Sequence, residues 1–212
     1  MLHSGLAYNI LLHTIFMTIA AFDFDGTITR RDTMLEFVAF THGRLALWGG
    51  LLLLSPLLVL MKAGLLSNGW VKLKFFSLYY KGVSHKRFTE YCHAFFESKK
   101  GLVYSEAADR IKSHKESGDT VVIVSASPVD WVALFAAWLG VDSVLATELQ
   151  FDNYHFSGKF STPNCYGAEK VNRLLTKYPD RDSYRLVVYG DSRGDRELLS
   201  IADESHYRFF TA

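Results

Sequence analysis

The chain has 212 residues, enough for one full core plus an inserted unit, and its hydrophobic fraction of 49% is at the top of the globular range. A net charge of +1 gives no global basic field, which argues against nucleic acid as a partner. Cys92 and Cys165 have no metal-ligand spacing, and the eight histidines form no His-x-x-x-His pair; reduced cytosolic thiols are the simplest reading, and the spacing argues against a zinc site.

Residues 1–16 are apolar and carry no Lys or Arg, so they lack the basic start of a secretory signal. They read as a loosely attached leader, and Met17 is a candidate start because a strand pattern follows it directly. That strand, 19–22, ends in Asp23-Phe24-Asp25-Gly26-Thr27. Side chains alternate along a strand, so Asp23 and Asp25 leave its end on one side. Gly26 allows a turn, and Thr27 supplies a hydroxyl. Paired hard carboxylates suit Mg²⁺, and one can attack phosphorus while the other handles a proton. The plainer reading is a solvated turn, where Asp and Gly are ordinary.

Residues 31–105 show helical patterns and little strand signal, and read as a helical cap inserted between 17–30 and 106–212. A helix over 105–117 rejoins the core. Strand and helix patterns then alternate: strand 120–124, helix 129–139 stopped by Gly140, strand 144–149, and a hairpin over 151–160 turning at Asp152-Asn153 or Gly158. Helix 168–178, strand 186–189, helix 197–202 and strand 207–210 complete the series. Such alternation implies an α/β fold with a Rossmann-like parallel sheet, whose ligands bind at the carboxyl ends of the strands.

Three later elements stand at such ends or at helix starts. Ser125-Ala126-Ser127-Pro128 follows strand 120–124, with Ser127 as N-cap and Pro128 in the first helical turn. A helix start there offers N–H groups to phosphate, although capping alone accounts for the residue types. Lys170 opens helix 168–178 and by itself would be an ordinary solvated lysine. Gly190-Asp191-Ser192-Arg193-Gly194-Asp195 repeats the pattern of an apolar strand ending in Asp, with a second Asp beyond a glycine turn.

In this order the four elements resemble the haloacid dehalogenase superfamily of hydrolases, over residues 18–210. The insertion after the first element resembles subfamily IB, which includes the phosphoserine phosphatases. The resemblance implies a Mg²⁺-dependent phosphomonoesterase. Asp23 would be the nucleophile that forms an aspartyl-phosphate, and Asp25 the general acid and base. Mg²⁺ would be held by Asp23, the main-chain carbonyl of Asp25 and Asp191. Ser125, Ala126, Lys170 and Thr27 would bind phosphate, with Asp195 orienting Lys170 or a metal-bound water. Ion pumps of the superfamily carry Lys where Phe24 stands and Thr at position 25; Asp25 argues for hydrolysis. A catalytically inactive, membrane-associated binding protein would predict eroded motifs, and none is eroded.

The cap bears on the substrate. Residues 45–61 carry no charge and many leucines, near the lower limit of about 17 apolar residues for a spanning helix. Asp23 and Ser125 must meet in one site, so a single crossing between them is excluded. The stretch is either a buried cap helix or a re-entrant or interfacial hairpin broken at Gly49-Gly50 or Ser55-Pro56. Residues 70–81 mix aromatics with lysines, which suits an interface carrying anionic lipid. The leucine-rich run is similar to that of bacterial phosphatidylglycerophosphate phosphatases. The expected substrate is therefore a phospholipid monoester, and the expected place is the cytoplasm, peripheral on the cytoplasmic membrane face. The alternative is a soluble phosphatase of phosphoserine or another small monoester. Asp32 falls where phosphoserine phosphatases keep a glutamate for the substrate amine, but it would equally cap the first cap helix. Those enzymes usually have Ser where Gly26 stands.

Overall fold

The computed structural model describes residues 17–210; the expected leader, 1–16, lies outside the described residues. Strand β1 (Met17–Phe22) is followed by cap helices α1 (Thr33–His42), α2 (Arg44–Leu53), α3 (Ser55–Lys62), α4 (Asn68–Tyr80) and α5 (His85–Lys99). Helix α6 (Ser105–Glu116) leads back to β2 (Thr120–Pro128), α7 (Val129–Leu139) and β3 (Ser143–Thr147). The chain continues through the hairpin β4 (Leu149–Asp152) and β5 (His155–Phe160), then α8 (Ala168–Lys177), β6 (Tyr184–Gly190), α9 (Arg196–Ser200) and β7 (Glu204–Tyr207).

Five strands form one parallel sheet in the order β3-β2-β1-β6-β7. The expected α/β fold with a helical insert after the first strand is therefore present. β1 is central, and Ile19, Ala20, Ala21 and Phe22 are all fully buried. A strand covered on both faces has to be apolar throughout, which explains its unbroken run. Ala20 and Phe22 face the cluster shared with the cap, while Ile19 and Ala21 face Leu174 of α8 and Leu198 of α9.

Aromatic side chains bind cap to core. Phe37 of α1 stacks on Trp131 of α7 at 4.6 Å between ring centroids. Around them pack Phe76 and Tyr80 of α4 and Phe88 and Phe95 of α5. On α5 the buried residues Phe88, Cys92 and Phe95 recur at helical spacing, so one stripe of that helix meets this cluster. The β4–β5 hairpin supports the cap from below: Phe156 N–H donates to the Val83 carbonyl, and Gly82 N–H to the Phe156 carbonyl.

Several boundaries differ from the sequence expectation. The strand expected over 120–124 runs to Pro128, through an irregularity between Ser125 and Pro128. Pro128 is the N-cap of α7, and no side chain caps that helix, so Ser127 is not its cap. The strand expected over 144–149 divides into β3 and the start of β4. Of the two expected turns, the hairpin uses the first, shifted by one residue: Asn153 and Tyr154, both at positive φ, join the Asp152–His155 pair. The last strand lies at Glu204–Tyr207, where it can pair with β6, instead of 207–210.

The expected break in the apolar run 45–61 occurs at Leu54, between α2 and α3, which meet at 60°. Gly50 stays within α2 because the Tyr79 hydroxyl needs the space: an added Cβ would lie 1.8 Å from it. That hydroxyl donates to the Ala46 carbonyl at 2.8 Å and docks α2 on α4.

Candidate active site

The carboxyl ends of β1, β2 and β6 converge beneath the cap. Asp23 follows β1 directly, and its N–H donates to the Tyr189 carbonyl of β6 at 2.9 Å. Beyond it the chain turns tightly: Ile28 and Thr29 N–H both donate to the Phe24 carbonyl. Gly26 makes the turn at φ +83°, and a Cβ there would lie 2.4 Å from Asp191 Oδ2. Glycine thus satisfies both the backbone and the close approach of the β6 loop.

Lys170, in the first turn of α8, is almost fully buried. Its ammonium donates to Asp23 Oδ1 at 2.5 Å and to Asp195 Oδ1 at 2.6 Å. The second oxygen of Asp195 accepts from the N–H groups of Asp191 and Ser192 and from the Ser192 hydroxyl. Asp195 is thereby saturated, and it fixes both Lys170 and the loop that carries Asp191. Burial works against the charge on Lys170, but Asp23 and Asp195 outweigh it and hold its pKa up. Burial likewise raises Asp195, yet Lys170 and Ser192 bring it below the ordinary carboxylate value.

Asp23, Asp191 and Asp195 present oxygens within 4.8 Å of one another. Burial pushes the Asp23 carboxyl well up, opposed by Lys170 and reinforced by Asp195. Asp191 is raised by burial and then by Asp195. Asp191 Oδ1 is buried with no hydrogen-bond partner among the described residues. An unsatisfied buried carboxylate oxygen beside a second carboxylate fits a hard divalent cation such as Mg²⁺. Asp23 and Asp191 are the side chains with oxygen to give, since Asp195 has none to spare.

Asp25 is held apart from this cluster. Its Oδ1 accepts from the Thr33 N–H at 2.7 Å and the Thr33 hydroxyl at 2.5 Å. Its Oδ2 accepts from the Ser127 hydroxyl. Trp131 Nε1–H donates to the Thr33 hydroxyl at 3.1 Å, so the chain Trp131–Thr33–Asp25 is continuous. The Asp25 carboxylate therefore takes no part in the acidic cluster, and only its main-chain carbonyl remains for the expected metal role.

The expected phosphate-binding residues separate into two groups. Lys170 and Ala126 line a cavity of about 500 Å³ that also reaches Asp23, Asp25 and Asp191. Ser125 is fully buried behind the cavity wall, and its hydroxyl accepts from the Ser127 N–H at 3.0 Å. Thr27 is also buried away from the wall, and its hydroxyl has no partner among the described residues. Neither residue lines the cavity. Asp32 lies on the cavity wall and also caps α1, accepting from the Leu35 N–H at 3.0 Å. It is exposed to the water of the cavity, but close packing around it, then Asp25, raises its carboxyl, with Lys72 opposing.

Four participants have no assigned part in the sequence reading. Thr33 and Trp131 carry no chemical signal of their own, and Ser127 reads as a cap. The fourth new residue, Lys72 of α4, donates to the Ala126 carbonyl at 2.8 Å and brings a cap cation to the cavity. No spacing rule could have paired it with a loop so distant in sequence.

Residues 20–200 match the haloacid dehalogenase-like hydrolases. The protein CicA of Caulobacter vibrioides is 34% identical over 197 residues, which cover 91% of this chain and 86% of CicA. A probable phosphatase of Mycobacterium tuberculosis is 35% identical over 103 residues, covering 46% of this chain and 34% of that protein. A substrate-bound phosphoserine phosphatase superposes with a TM-score of 0.64 at 19% identity, covering 90% of this chain and 85% of that one, which is a likeness of fold. The chain belongs to the haloacid dehalogenase-like hydrolase family.

Proposed function

We propose that the protein hydrolyses phosphate monoesters through a phosphoryl group carried transiently on Asp23. The observation that supports this best is the buried Asp23–Lys170–Asp195 arrangement beside the unsatisfied Asp191 oxygen, all at the wall of one cavity. A carboxylate oxygen of Asp23 attacks phosphorus, and the ester P–O bond breaks. Protonated Asp25, steadied by Thr33 and Ser127, gives its proton to the leaving oxygen. Asp25 then takes a proton from water as that water attacks phosphorus, which frees Asp23 and inorganic phosphate. Lys170 stays in ion contact with Asp23 and offsets charge on the phosphoryl oxygens. Mg²⁺ held by Asp23, Asp191 and the Asp25 carbonyl would add positive charge at the same oxygens.

For the substrate, the comparisons favour a small soluble phosphate monoester, the class to which phosphoserine belongs. Asp32 and Lys72 on the cavity wall offer opposite charges to such a molecule. A second reading, a phospholipid monoester, has one observation behind it: the cap side of the cavity is lined by Met34, Leu51, Leu58, Met61 and Phe75. A panel of phosphoserine, an aryl phosphate, lysophosphatidate and phosphatidylglycerophosphate, assayed with Mg²⁺, separates the two. The soluble esters should show the higher kcat/KM. The reverse order favours the phospholipid, and no turnover of any ester overturns both readings.

A further inference from the structure

Helices α2 and α3 are apolar on two sides. Leu51, Leu58 and Met61 face the cavity. On the outside, Leu45, Trp48 and Leu52 of α2 are 91%, 66% and 76% exposed, and they recur at helical spacing. Leu53 and Val59 extend the surface, and no residue of α3 is buried. A helix on a water-facing surface normally turns its apolar stripe inward, so an outward stripe of this size marks a binding surface.

The charge on these helices points to its occupant. No Asp or Glu occurs between Glu36 and Glu90. Arg44 opens α2 and Lys62 ends α3, and both are exposed, as is Lys74 of α4. Lys74 lies 5.2 Å above the ring of Trp70, itself 42% exposed, a pairing suited to a polar–apolar boundary. A second copy of this chain would bring the same cations against themselves. A bilayer carrying anionic phospholipid complements both the apolar stripe and the charge.

Length and topology restrict how the helices meet it. No single helix among the described residues is long and apolar enough to cross a membrane. Taken singly, the ten residues of α2 or the eight of α3, at about 1.5 Å each, reach no more than about half of a hydrocarbon core of about 30 Å. The 60° bend also suits a pair that lies along a surface. We propose that the outer faces of α2 and α3, flanked by Trp70 and Lys74 of α4, dock on a bilayer containing anionic phospholipid. This docking is independent of the reaction at Asp23.

The test is co-sedimentation of the full chain with vesicles of phosphatidylcholine alone or mixed with phosphatidylglycerol. Binding should be about ten-fold stronger to the mixed vesicles and should weaken with salt. The double variant Trp48→Asp, Leu52→Asp should lose it, and so should Lys62→Glu, Lys74→Glu. These exposed positions should leave the melting temperature unchanged, which separates lost docking from lost folding. Absence of binding, or binding indifferent to lipid charge and to both variants, overturns the proposal. So does a dimer that Trp48→Asp, Leu52→Asp dissociates when no vesicle binding occurs.

Discussion

Lys170 Nζ lies 2.5 Å from Asp23 Oδ1, joining residues separated by 147 positions. Both are buried, so the pair is screened little by water and each charge depends on the other. Lys170→Met should lower phosphate release at least about 100-fold, because a donor to the developing phosphoryl charge is gone. It should also destabilise the fold by about 3–5 kcal/mol, since Asp23 and Asp195 are left buried without their cation. Phosphate assays and urea unfolding measure the two effects separately. A variant as active as the wild type contradicts the assigned role.

Divalent metal should act on stability as well as on rate. Mg²⁺ at about 100 times its Kd should stabilise the fold by about 2.7 kcal/mol, seen as a higher melting temperature. Asp191→Asn should abolish that shift, because it removes charge where the unsatisfied Oδ1 now stands. Chelation should stop phosphate release, and added Mg²⁺ should restore it. A melting temperature indifferent to Mg²⁺ contradicts the metal assignment.

Asp25 is held by Thr33 and Ser127, so loosening it should slow proton transfer without weakening substrate binding. Ser127→Ala and Thr33→Val should each reduce kcat by about 10- to 100-fold with KM nearly unchanged. Steady-state kinetics on a monoester with a poor leaving group is the appropriate measurement. A rise in KM at constant kcat would place these residues in binding instead.

Glu36 connects Arg31, beside the active-site turn, to Lys99 of α5. Partial burial pushes its carboxyl up, but Arg31 and Lys99 outweigh that and hold it below the ordinary 4.5. A depressed folded pKa contributes stability above the unfolded value, lost as pH falls through the folded value. Glu36→Gln should therefore cost about 1 kcal/mol at neutral pH, and the gap to wild type should shrink as pH falls below the ordinary 4.5. Thermal melts across acid pH test this; a gap that stays constant or widens with acidification contradicts it.

Much of the core could be read from the sequence because strand ends were labelled by chemistry. The apolar run before Asp23 and the one before Asp191 each end at a carboxylate, and both form central strands. Lys170 gave only a helix start; its burial depends on Asp195 and Asp23, which no local pattern reports. Ser125 is the converse case: its position after an apolar strand suggests phosphate, while β2 continues past it and its buried hydroxyl accepts from the Ser127 N–H. Thr33 and Lys72 were invisible because each acts at a distance that only the folded cap closes. The run 45–61 was ambiguous for a physical reason: helices apolar on two sides give no single stripe to locate.

The central claim is that Asp23 carries the phosphoryl group, and Asp25→Asn offers the most direct test. An aryl phosphate has a leaving group that needs no proton, so attack by Asp23 can proceed while water activation cannot. Incubation of Asp25→Asn with aryl phosphate and Mg²⁺, acid quench, digestion and mass spectrometry should reveal a phosphoryl adduct on Asp23. Release of the aryl alcohol with no adduct on Asp23, or with an adduct on another residue, would contradict the account.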